Sequence, residues 1–330
     1  MKKIIFFIGI ITLFILSIVA VSRRTQQSQK NSQQLTIVAT LFPLYDFAKI
    51  IGGDNVSVSL LLPPGIEAHS FEPKPSDIAA INAADMFIYT GEFMEPWAED
   101  IIHGLSNKNI KVVDSSKGIT FMEEDAHEHN NESDEDHEEA DLHEEEQAHH
   151  HHDGGDPHIW LDFDNDKTMV QTIATALSEK DPAHAHSYQQ RADTYKNNLS
   201  ALDIKYQTAL SECKTTEIVY GGHYAFGYLA NRYNLTYTAA QGVSPDAEPT
   251  AQDLIQLVEQ IKKNDIQYIF YEELTSPKIA ETLANETKTT MLLLHAAHNV
   301  SKEDFNKNIS FLSIMEKNLD NLKVGLQCDK

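Results

Sequence analysis

Residues 182–211 read PAHAHSYQQRADTYKNNLSALDIKYQTALS, and within them Tyr188, Ala192, Tyr195, Leu199, Leu202, Tyr206 and Leu210 recur at spacings of three and four. Such spacing lays one apolar stripe along a helix of roughly eight turns. On either side of it, β-rich runs alternate with shorter helical patterns. A helix this long between two alternating stretches predicts a rigid spine joining two α/β lobes, not a flexible hinge.

Upstream of the spine, Leu35 to Thr40, Val56 to Leu62, Met86 to Tyr89 and Ile110 to Val113 read as strands. Between them lie helical segments at Tyr45 to Ile51, from the Ser76-Asp77 cap to Ala84, and at Trp97 to Leu105. Thr168 to Ser178 is helical just before the spine. Downstream, the strands are Glu217 to Tyr220, Leu235 to Thr238, Ile266 to Tyr271 and Met291 to Leu294. Helices at Thr250 to Lys263 and Pro277 to Glu286 and a closing amphipathic one over Lys302 to Gln327 complete the second lobe. The fold class expected is therefore α/β, each lobe a mainly parallel sheet flanked by helices, with ligands beyond the carboxyl ends of the strands. The 330 residues suit two domains with two hydrophobic cores. They divide as a signal peptide or membrane anchor (1–22), a tether (23–34), an N-terminal lobe (35–165), linker helices including the spine (166–212) and a C-terminal lobe (213–330).

The net charge of −24 is unevenly spread: Glu123 to Asp156 holds 16 Asp or Glu and no Lys or Arg, leaving −8 for the rest. Eight of the 16 histidines also lie there: His127, His129, His137, His143, His149, His150, His151 and His152. Mutually repelling carboxylates with little to bury predict a disordered loop over 123–155, and its imidazoles predict weak, multi-site metal capture. No basic patch is interleaved with aromatics, which argues against nucleic acid as a partner.

Lys2 and Lys3 precede an apolar run from Ile4 to Val21, the pattern of an export signal or an uncleaved anchor. No cysteine stands directly after it, so no lipid-attachment residue is expected; whether signal or anchor, it places the folded part outward. The two cysteines, Cys213 and Cys328, predict one disulfide in an oxidising compartment.

Four histidines share a setting. His69 lies in the loop after the second strand, and His158 stands in Asp156-Pro157-His158-Ile159-Trp160-Leu161-Asp162, where a proline and apolar anchors hold it rigidly. His223 follows Gly221-Gly222 at a strand end, and His295 ends the last strand. Four imidazoles suit tetrahedral Zn²⁺ better than harder cations, with Glu67, Glu272 and Glu273 available to orient rings and balance charge.

Pro64-Gly65-Ile66-Glu67-Ala68-His69, Phe71-Glu72-Pro73-Lys74-Pro75-Ser76-Asp77, the acidic His-rich loop, Asp156-Pro157-His158-Ile159-Trp160-Leu161-Asp162 and Gly221-Gly222-His223 resemble the zinc- and manganese-binding receptors of bacterial ABC importers. The resemblance covers about Leu35 to Lys330 in a consistent order. It implies a metal held between two lobes by His69, His158 and His223, and His223 points to zinc where manganese-selective relatives carry a carboxylate. A fourth position that is often Asp in the family falls on His295, with His298 three residues on, a carboxylate or water as the alternatives. The implied function is an extracytoplasmic receptor, monomeric, delivering Zn²⁺ to a membrane permease with a cytoplasmic ATPase; related receptors also act in adhesion. The rival within the class is a manganese or broader divalent-metal receptor. The rival outside it is a secreted zinc-dependent hydrolase, against which stands the lack of a His-Glu-x-x-His helix.

Overall fold

The structure, a computed structural model, describes residues 34–123, 154–243 and 248–328. The expected export segment, most of the tether, the question of lipid attachment and the eight insert histidines lie outside those residues. Among the described residues no helix is long and apolar enough to cross a membrane.

The first sheet comprises β1 (Leu35–Ala39), β2 (Val56–Leu60), β3 (Met86–Tyr89) and β4 (Lys111–Asp114), in spatial order β2-β1-β3-β4 and parallel throughout. Its helices are α1 (Phe42–Gly52), α2 (Pro75–Ala83) and α3 (Ala98–Gly104). Then come α4 (Phe163–Lys180) and the spine, α5 (Ala185–Leu210). The second sheet, β5 (Glu217–Tyr220), β6 (Thr236–Ala239), β7 (Tyr268–Tyr271) and β8 (Thr290–Leu293), repeats the order as β6-β5-β7-β8, again parallel. Its helices are α6 (Gly227–Tyr233), α7 (Ala251–Lys263) and α8 (Lys278–Thr287), followed by α9 (Lys302–Asn306) and α10 (Phe311–Gly325).

Alternation along the strands decides what each face covers. Ile37, Ala39, Met86 and Ile88 join Ile218, Tyr220 and Phe270 in one apolar cluster that runs through both lobes and includes α1, α4, α5 and α10. Val38 and Phe87 face a smaller cluster under α2 and α3, and Val219 and Ile269 one under α7 and α8. The two separate cores expected from length are thus one continuous core with a satellite on each outer face. All seven stripe residues of α5 are buried in the shared core.

Local chemistry moves several boundaries. Asp162 caps α4, its side chain accepting from Asp164 N and Asn165 N, so the helix begins at Phe163, earlier than its apolar periodicity indicates. Arg232 on α6 bonds Asp162, Asp164 and Asp203, tying α6 to the start of α4 and to α5. The closing helix is two helices. Asn308 takes a left-handed φ of 54°, Ser310 caps the second helix, and Asp46 Oδ2 accepts from Phe311 N at 2.9 Å. Cys213 and Cys328 form the disulfide, which joins the chain just past α5 to the chain just past α10.

Candidate metal centre

The carboxyl ends of the two sheets meet where the histidines gather. His69 Nε2 lies 3.1 Å from His158 Nε2, which lies 3.2 Å from His223 Nε2. Ligand atoms of these three residues all fall within 4.8 Å of one another. With Zn–N bonds of about 2.0–2.1 Å, the edge of a tetrahedron is about 3.3 Å, so this spacing suits one small tetrahedral cation.

Each ring is held by its own device. For His158 it is the Asp-Pro-His turn: Asp156 Oδ1 accepts from His158 N at 2.9 Å and from Nδ1 at 2.7 Å. Donation from Nδ1 leaves the Nε2 lone pair free to face the other imidazoles. Trp160 packs edge-on against the ring, and its Nε1 donates to Ala296 O at 2.7 Å, crossing between the lobes. His223 Nδ1 lies 2.9 Å from Glu272 Oε1, close but misaligned for a hydrogen bond. The glycine before it is required by space, for a Cβ on Gly222 would stand 2.6 Å from Glu272 Oε2. His69 is half-buried, and its loop is braced by Glu67, whose Oε2 accepts from Ser70 N at 3.0 Å.

Electrostatics keep the lone pairs of His69 and His158 available. Burial first, then the neighbouring imidazoles, push His69 and His158 well below the ordinary histidine range. Burial also opposes protonation of His223, but the Glu272 carboxylate outweighs it and raises that group. Burial pushes Asp156 up to about 7. It acts the same way on Glu67, where the charges of His69 and His298 and the local hydrogen bonds prevail and lower the carboxyl.

The structure leaves His295 outside this group. Its backbone is gripped on both sides by Asn318, its Nδ1 accepts from Ala297 N at 3.0 Å, and it stands 3.1 Å from Glu273 Oε1. Consecutive residues after β7 diverge: Glu272 serves His223, whereas Glu273 serves His295. Burial opposes ionisation of Glu273, yet the charges of His295 and His298 beside it hold the carboxyl at about 2. His298 also lies outside the group of three, but in a different setting. It is wholly buried, neither ring nitrogen has a hydrogen-bond partner among the described residues, and its ring centroid is 6.0 Å from that of His223. Sequence reasoning missed Asp156 as the partner of His158, although an acid two residues before an anchored histidine was the available signal.

The comparisons with known proteins agree in kind. The family described as the periplasmic component A of the zinc-uptake complex (ZnuA) matches residues 37–325. "Zinc-binding protein AdcA" of Streptococcus pyogenes is 33% identical over 327 residues, which are 98% of this chain and 61% of the relative. The chain therefore spans about three fifths of the length of that relative. "High-affinity zinc uptake system protein ZnuA" of Bacillus subtilis is 35% identical over 299 residues, 91% of this chain and 90% of the relative. The crystal structure of the Zn(II)-bound ZnuA-like domain of Streptococcus pneumoniae AdcA superposes with a TM-score of 0.71 at 33% identity, covering 89% of this chain and 99% of that one.

Proposed function

This chain belongs to the family of the periplasmic zinc-uptake complex component A, and from that premise we propose that it is an extracytoplasmic receptor for Zn²⁺. The observation that carries the proposal is the set of three imidazole nitrogens at tetrahedral spacing, two of them backed by a buried carboxylate. His69, His158 and His223 are the proposed ligands, and His298 closes the fourth position. A buried imidazole with both nitrogens unpartnered is costly, on the order of 1–3 kcal/mol for each unsatisfied group, and a cation relieves that cost. His295 is assigned to the Glu273 pair and not to the ion. Nitrogen ligands throughout favour zinc over manganese, which takes more oxygen.

The proposed activity is binding and release, not hydrolysis. Glu67, the group a hydrolase would use as base, braces the His69 loop through Ser70. His69 and His158 precede the spine and His223 and His298 follow it, so the ion bridges the lobes. The recipient proposed is a membrane permease driven by a cytoplasmic ATPase. The acidic His-rich insert is proposed to gather zinc weakly near the receptor, and the protein to act as a monomer.

Competition titration against a zinc chelator tests this. One tight zinc per chain is expected, and it should survive deletion of Glu123 to Asp153. His158→Ala and His298→Ala should weaken it beyond the roughly 10–100-fold that loss of an outer partner costs, whereas His295→Ala should stay within that range. If tight binding disappears with the insert, the receptor reading fails. If His295→Ala proves as damaging as His298→Ala, the ligand set is wrong.

A further inference from the structure

The segment Leu294–Val300 leaves the edge of the second sheet and is stitched to element after element. Leu294 O accepts from Tyr220 Oη, His295 O from Asn318 Nδ2, and Ala296 O from Trp160 Nε1. His298 O then accepts from Phe42 N at the start of α1, and Val300 O from Gly65 N in the His69 loop. Ala297, at the centre, has a φ of 62°, a left-handed conformation disfavoured for a residue with a Cβ. That strain persists because the flanking bonds over-determine the path.

Asn299 is the residue this path presents to the other lobe. It is wholly buried, its Nδ2 donates to both Pro63 O and Ile66 O at 2.8 Å, and its Oδ1 accepts from Val300 N at 2.8 Å. Pro63 and Ile66 bracket the turn that delivers Glu67-Ala68-His69. From the other lobe, that loop is also held by Val300 O, which accepts from Gly65 N. Its tip is solvent-exposed at Pro63, Gly65 and Ile66, and Ala68 supplies its buried anchor. Bridging two carbonyls from so short a side chain takes a primary amide, because the isosteric carboxylate has no N–H to give.

We infer that Asn299 is a positioning residue for the metal centre, holding the His69 loop of one lobe at a set distance from His298, its own chain neighbour. The inference rests on the zinc reading above. It makes His298-Asn299 a two-residue unit in which one member offers a ligand and the next fixes where the facing ligand stands.

Zinc competition titrations on the full chain, its Asn299→Ala and His69→Ala variants and the double variant test it. Asn299→Ala should weaken zinc roughly 10–100-fold, and in the His69→Ala background it should cost nothing more, since its effect passes through His69. Asn299→Asp keeps the volume, discards both donors and should behave like the alanine variant, which covers the case in which the alanine variant does not fold. Loading with Co²⁺ gives a second readout, an altered visible absorption band in Asn299→Ala. An unchanged affinity, or a loss that adds in full to that of His69→Ala, would overturn the inference while leaving the zinc reading intact. If the wild-type chain holds no tight zinc, the zinc reading falls and takes this inference with it.

Discussion

Glu95 shows how a single side chain away from the histidines sets a pH response. It is buried just past β3, its Oε2 accepting from Thr90 N and Gly91 N and its Oε1 from the Thr40 hydroxyl. Burial outweighs these bonds and pushes the carboxyl from 4.5 up to about 7. A folded-state value above the unfolded one means that the folded chain binds the extra proton. The resulting stability is complete below the unfolded value and is lost as pH rises through about 7. Relative to wild type, Glu95→Gln should therefore gain stability between about pH 5 and about pH 8, measured as urea midpoints. Parallel pH curves for the two proteins would refute this. Asp46 is also raised by burial, to about 6, so part of the pH response should remain in the variant.

At the scale of one element, α5 carries the argument. Its buried stripe touches α1, α4 and α10, and Tyr206 Oη donates to Met315 O at 2.6 Å inside the core. Leu199→Ala should cost about 2–5 kcal/mol, the usual range for removing a buried leucine. Ile204→Ala on the same helix should cost less than about 0.5 kcal/mol, because Ile204 is 62% exposed. Urea unfolding of both variants decides it, and equal losses would mean that the helix buries a different face. This stripe was readable because seven apolar residues at helical spacing have only one amphipathic solution. The break between α9 and α10 was not, because Asn308 and Ser310 sit in a run whose apolar residues keep helical spacing across it.

For the molecule as a whole, the continuous core constrains how the lobes move. Rotating one lobe far from the other would pull Trp160 from Ala296 O, Asn299 from the His69 loop, and the apolar cluster apart across the spine. Binding should therefore produce a modest displacement, smaller than the closure of receptors whose lobes are linked by hinges. X-ray scattering of zinc-loaded and chelated protein should give nearly superposable profiles. A large fall in the radius of gyration on loading would contradict the rigid-spine picture.

Periodicity and punctuation in the chain determined the α/β class, the two repeats of strand and helix and the spine, because side-chain spacing and turn chemistry are local. The disulfide followed from two cysteines read together with an expected export signal. His69, His158 and His223 were legible as a set because each follows an anchored turn or a strand end, and parallel sheets bring such positions together. What only the tertiary structure decided was the different surroundings of His295 and His298. Both follow the last strand, three residues apart, and nothing in their spacing says which ring turns toward the cluster. Asn318, Glu273 and the left-handed Ala297 fix how His295 is held, and they lie apart in the sequence or act through a backbone angle the sequence does not announce. The merging of two cores into one has the same cause: which faces of two sheets share a cluster depends on how the spine packs between them.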